Sequence, residues 1–93
     1  GFMTSIILSS HTKALVLKHA SRLAQQDQNS KNIKILGPVE APIFLLRGQY
    51  RYRILLKSNS RKNLNKFTKK IVEKTKLPSS VKLIIDVDPY SFM

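Results

Sequence analysis

Residues 48–57, Gly-Gln-Tyr-Arg-Tyr-Arg-Ile-Leu-Leu-Lys, alternate at period two and can hardly form anything but a β-strand. Tyr50, Tyr52, Ile54 and Leu56 share one face, while Gln49, Arg51, Arg53, Leu55 and Lys57 share the other. A strand with one apolar and one basic side belongs to an antiparallel sheet covered on a single side. The tyrosine face is therefore a core face, and the bare basic face is where function is to be sought.

The rest of the chain supplies what such a strand needs. Residues 2–9 form a short β-rich run. Ser10 or Thr12 can cap a helix over about 12–26, in which Val16, Leu17, Ala20, Leu23 and Ala24 recur at helical spacing and Lys13, Lys18 and Arg22 stay outside. The polar run 25–30 is a loop. Ile33 and Ile35 begin a second strand that Gly37-Pro38 is expected to end, since proline cannot donate to a sheet ladder. Residues 37–48 then read as a protruding loop, stiffened by Pro38 and Pro42. Its run Ile43-Phe44-Leu45-Leu46 has no clear period; it either folds back on the core or forms a contact surface.

After the central strand, Ser60 is a good N-cap for a helix over 61–75 with Leu64, Phe67, Ile71 and Thr75 facing inward. Pro78-Ser-Ser makes a turn. Val81, Leu83, Ile85 and Val87 then alternate in a last strand that Pro89 stops. The order is β-α-β-β-α-β, which predicts an α+β ferredoxin-like domain, a four-stranded antiparallel sheet with both helices on one face. Tyr50, Tyr52, Ile54, Leu64, Phe67, Ile71, Leu83 and Ile85 are the expected core.

Ninety-three residues suffice for one domain. Seventeen Lys and Arg against five acids give a net charge of +12. The usual reason for so large an excess is a polyanionic partner. On the second helix Lys62, Lys66, Lys70 and Lys74 follow one another four apart, each pair repelling by a few tenths of a kcal/mol, roughly. Such a helix either seeks an external anion or presents an ordinary solvated face. The candidate nucleic-acid contacts are Arg51, Arg53, Lys57 and Lys82 on the bare face and Lys62, Lys66, Lys69 and Lys70 on the helix.

Several function classes drop out. Without cysteine there is no disulfide framework and no thiolate metal site, which fits a reducing cytoplasm. No apolar run approaches the roughly 20 residues that span a bilayer, and Gly-Phe-Met-Thr-Ser at the start has no basic leader character; membrane insertion and secretion are not expected. Because the chain opens inside a strand, it is expected to be a piece of something longer. His11 and His19 lack a neighbouring carboxylate or second ligand and are assigned no chemistry. The turn Ser9-Ser10-His11-Thr12 lacks the glycine cradle of small ferredoxin-like phosphatases, and there is no phosphate loop or triad spacing. Asp86 and Asp88 share a strand face, but two carboxylates make a poor cation site, and pairing with Lys82 or an arginine suits them better. The chain reads as a binding module with no catalytic residue, no metal and no cofactor of its own.

Three segments carry a family resemblance: Ile35-Leu-Gly-Pro-Val-Glu-Ala-Pro42, Leu46-Arg-Gly-Gln-Tyr-Arg-Tyr-Arg-Ile-Leu-Leu-Lys57 and Ile85-Asp-Val-Asp-Pro89. In this order and spacing the chain resembles the C-terminal domain of primosomal protein N-prime, the bacterial replication-restart DNA helicase family. The resemblance implies a fold similar to a small-subunit ribosomal protein. It also implies that ATP, magnesium and zinc sites belong to other domains of a longer, nucleoid-associated helicase. The implied partners are single-stranded or forked DNA, those other domains, and the acidic tail of single-stranded DNA-binding protein. For that tail the resemblance singles out Gln49 and Arg53. Gln49 stands where the family usually has arginine, which implies weaker binding there. Arg51 lies on the same face, and Leu55 and Ile84 offer a recess for the tail's terminal ring. A free-standing RNA-binding or ribosome-associated protein is the alternative that fold and charge alone also support; an enzyme comes third.

Overall fold

The alternating stretch forms the strand it predicts. In a computed structural model, which describes residues 1–26 and 32–87, the elements are β1 (Phe2–Ser10), α1 (Lys13–Ala24), β2 (Lys34–Leu46), β3 (Gln49–Ser58), α2 (Arg61–Lys74) and β4 (Lys82–Val87). One antiparallel sheet has the order β2-β3-β1-β4. This is the ferredoxin-like α+β arrangement expected from the element order. Most of the 25–30 loop, Asp88 and the stop at Pro89 lie outside the described residues.

The core fills the space between one sheet face and the two helices. Ile6 and Leu8 of β1, Tyr52, Ile54 and Leu56 of β3, Val16, Ala20 and Leu23 of α1, and Leu64, Phe67 and Ile71 of α2 are all buried. Each large aliphatic or aromatic side chain so placed contributes about 1.5–3 kcal/mol. Three residues depart from the expected core, and Leu17 from the expected inner stripe of α1. Ile85 is 42% exposed, because α2 lies mainly over β1 and β3 and leaves the outer strand β4 only partly covered. Tyr50 and Leu83 are half-buried at the margin, and Leu17 faces outward on α1. On α2 the inward position passes from Thr75, the C-cap, to Thr68, whose hydroxyl donates to the Leu64 carbonyl at 2.8 Å.

The helix starts differ. At α2 the Ser60 hydroxyl accepts from the Asn63 N–H at 3.1 Å, the cap its sequence predicts. At α1 the N-cap Thr12 makes no such side-chain bond; instead the Ser10 hydroxyl accepts from the Thr12 N–H at 3.2 Å and shapes the turn leaving β1. Gln26 Nε2 donates to the Thr75 hydroxyl at 2.9 Å and ties the end of α1 to that of α2.

The largest correction concerns residues 37–48. β2 does not stop at Gly37-Pro38, a cis peptide, but runs on to Leu46, so most of the expected loop is strand. Proline is tolerated at sheet edges and bulges, and β2 is an edge strand with two bulges. At the first, Gly37 and Pro38 stand opposite Ile54 alone; at the second, Ala41 to Phe44 stand opposite Arg51 alone. Gly37 is required there: its φ is +110°, and a Cβ would come within 2.8 Å of the Arg53 carbonyl oxygen. The apolar run divides. Phe44 folds back, its ring 5.6 Å from Tyr50 and 5.2 Å from Tyr52, while Ile43, Leu45 and Leu46 stay exposed. Arg47 and Gly48, both at positive φ, form the two-residue turn into β3, and His11 Nδ1 donates to the Gly48 carbonyl at 2.9 Å.

Candidate nucleic-acid and partner interface

Antiparallel pairing sets directly opposed residues on the same face, so the register reads out the open side of the sheet. Arg53 lies between Val39 on β2 and Ile7 on β1, and Ile84 on β4 completes its row. Leu55 lies between Leu36 and Ser5, with Asp86 beyond. Lys57 faces Lys34 on one side and Met3 on the other, and Arg51 and Lys82 flank Ser9. The face is thus basic at its two ends and aliphatic across its middle, where the arginine of the Arg53 row is embedded.

The two arginines are held differently. Arg51 Nη1 donates to the Ile43 carbonyl at 2.8 Å, so part of its fork closes the wide bulge of β2. Arg53 is half-buried, and its Nε is buried without a hydrogen-bond partner among the described residues. A guanidinium that has lost water at one donor and gained no acceptor favours an anion that supplies one. Gln49, half-buried, pairs with Leu46 beside the hairpin turn. It sits four residues, about 13 Å along the strand, from Arg53.

The remaining candidates lie elsewhere. Lys62, Lys66, Lys69 and Lys70 are exposed on α2, on the opposite side of the sheet from Arg51, Arg53, Lys57 and Lys82. Lys66 and Lys70 line a shallow cleft with Asn32, Ile33, Asn63 and Phe67. The structure therefore splits the candidates into two basic surfaces. Arg61 of the same helix turns its guanidinium over the Phe2 ring at 4.7 Å, and Lys13 of α1 lies 5.6 Å from the Phe44 ring. Among the described residues no three His, Cys, Asp or Glu side chains cluster, and no helix is long and apolar enough to cross a membrane. Burial first, then the charges of Arg22 and Lys18, hold the pKa of His19 below the usual histidine value.

Sequence reasoning missed Ile7, Lys34, Leu36 and Val39 on the open face. Ile7 was accessible from the alternation of Met3, Ser5, Ile7 and Ser9. Lys34 and Leu36 were likewise accessible from their alternation with Ile33 and Ile35, but Val39 was not, because its facing depends on the bulge at Gly37 and Pro38.

The model of the primosomal protein N C-terminal domain family matches residues 1–90. The chain belongs to that family. It is 41% identical over 88 residues to the replication restart protein PriA of Rickettsia conorii, and 39% identical over the same length to that of Rickettsia felis; each match covers 95% of this chain. The PriA of Haemophilus influenzae is 37% identical over 65 residues, 69% of this chain. These are bacterial proteins of replication restart, and the chain spans about 13% of the length of the two rickettsial relatives.

Proposed function

We propose that this chain is a non-catalytic domain of an ATP-dependent replication-restart helicase, binding single-stranded or forked DNA and the acidic tail of single-stranded DNA-binding protein. ATP, magnesium and zinc belong, on this reading, to other domains of the longer protein. The observation that carries the tail assignment is Arg53, whose buried, unmatched Nε sits in the row Val39, Arg53, Ile7, Ile84. A peptide ending in acidic groups and an aromatic ring needs a cation for its carboxylates and an aliphatic floor for its ring, and this row supplies both. Arginine suits the first task because its planar fork can hold a carboxylate at two points. Gln49, on the same strand face, can add one neutral hydrogen bond.

DNA is assigned to α2, whose exposed lysines lie apart from that row. Tyr52 is buried and Tyr50 packs on Phe44, so neither is available for base stacking and the binding is electrostatic. If about four to six phosphates are neutralised, log affinity falls against log salt with a slope of about −3 to −4.

Two titrations test the reading. A fluorescently labelled tail peptide is titrated with the wild-type chain, Arg53→Glu and Gln49→Arg: Arg53→Glu should abolish binding and Gln49→Arg should strengthen it. Labelled single-stranded DNA is titrated with the wild type and the double charge reversal Lys66→Glu, Lys70→Glu, which should weaken binding to all sequences alike. Identical tail binding by the three proteins removes the site from β3, and an unchanged DNA affinity removes α2.

A further inference from the structure

The sheet has two edges, and they are unlike. β2 is blunted by two bulges and by Pro38 and Pro42, which cannot donate to a neighbour. β4 has neither device: its six residues pair with β1 in unbroken register, and it lies at the end of the sheet order with one side unpaired among the described residues. Ile84, Ile85 and Val87 are 54%, 42% and 50% exposed. On the helix side Ile85 and Val87 border an apolar groove of about 300 Å³ whose other walls include Thr4, Thr68 and Val72. An edge with aliphatic side chains on both faces and free backbone groups between them is a template for another strand.

The charges on β4 favour one such strand. Lys82 and Asp86, both exposed, lie two positions to either side of Ile84 on the open face. If β4 meets a second β4 antiparallel about a twofold axis at Ile84, each Lys82 lies opposite the partner's Asp86, each Leu83 opposite the partner's Ile85, and Ile84 opposite its own twin. Both charges then face opposite charges and every aliphatic residue faces an aliphatic one. Slipping the pair by two residues sets Lys82 or Asp86 against Ile84. The twofold register also keeps the helices of both copies on one side, as a self-complementary contact requires. We propose that β4 pairs antiparallel with β4 of a second copy of this chain, joining two four-stranded sheets into one of eight strands.

Net charge opposes this contact, since each copy carries +12. Salt screens that long-range repulsion while leaving aliphatic packing and backbone hydrogen bonds in place. Self-association should therefore strengthen as salt rises, the reverse of DNA binding, so failure of one reading is distinguishable from failure of the other.

Sedimentation velocity of the 93-residue chain between about 0.05 and 0.5 M salt, a range over which the screening length shortens severalfold, tests the contact. A dimer population that grows with salt is expected. Lys82→Glu alone or Asp86→Lys alone sets like charges opposite one another twice per dimer and should weaken association by about tenfold. Lys82→Glu combined with Asp86→Lys should restore it, and a mixture of the two single variants should form heterodimers. A chain that stays monomeric throughout, or dimers indifferent to these substitutions or not rescued by the combination, overturns the proposal.

Discussion

The Arg51 guanidinium donates to the Ile43 carbonyl at 2.8 Å, and this bond spans a bulge in which four residues of β2 stand opposite one of β3. Arg51 is thus a brace as well as a surface cation, whereas Arg53, two positions on, braces nothing through its Nε. Arg51→Ala should cost about 1 kcal/mol, the net worth of such a hydrogen bond, and accelerate amide exchange over residues 41–45. Arg53→Met, which keeps an aliphatic stem and removes the unmatched donor, should leave stability unchanged or raise it. Urea melts of the two variants settle this, and equal losses in both would sink the distinction.

Thr4 is buried, and its hydroxyl has no hydrogen-bond partner among the described residues. Valine has nearly the same shape without the polar atom, so Thr4→Val should stabilise the fold by about 1 kcal/mol. A lower urea midpoint in that variant would mean that the hydroxyl is satisfied after all.

Phe67 is 7% exposed and belongs to the central cluster. Phe67→Ala should cost about 3–5 kcal/mol, a large part of the stability of a domain this size. Calorimetry or far-ultraviolet circular dichroism should show a strongly lowered melting temperature or no cooperative transition.

Gly37→Ala should cost more than an ordinary helix or loop glycine substitution, about 1–3 kcal/mol. The alanine meets both an unfavourable φ and the Arg53 carbonyl. Because that carbonyl belongs to the residue assigned to the tail, the variant should also weaken tail binding. A variant as stable as the wild type would show that the bulge rearranges freely.

His19 gives the fold a pH dependence of known sign. Burial and the charges of Arg22 and Lys18 hold its folded-state pKa below 6.5. As pH falls through the unfolded value, the unfolded chain takes up the proton before the folded one, so stability present above that value is lost on acidification. Urea midpoints at pH 7.5 and 5.5 for wild type and His19→Gln should diverge at the lower pH in favour of the variant; a constant offset would dismiss the effect.

Much of this domain could be read from its residues. Period two in 48–57 placed Tyr52, Ile54 and Leu56 correctly because one strand's alternation needs no partner to interpret. The Ser60 cap and the stripe Leu64, Phe67, Ile71 were legible for the same local reason. What failed depends on neighbours. Pro38 looked like a stop because it would be one in a central strand, and only the sheet order makes β2 an edge. Ile85 looked like core because its alternation is right, but nothing local says that α2 stops short of β4. The candidate site was visible as a set of charges on β3 and α2. Its division between the bare face and the helix followed from the expected fold, but the aliphatic row around Arg53 rests on cross-strand register, which no single segment contains.

The order β2-β3-β1-β4 has a kinetic consequence. β1, central in the sheet, pairs Phe2 with Ser58 and Thr4 with Val87, so neither of its ladders is local in sequence. During synthesis the helix α1 and the β2–β3 hairpin can form as they emerge, but the strand that unites the sheet must wait for partners made much later. Loop closure over such distances is slow compared with helix or hairpin formation, which places this mixed fold between the fast helical folders and the slow all-β ones. Until β4 arrives, Ile6 and Leu8 are the residues left most in need of protection.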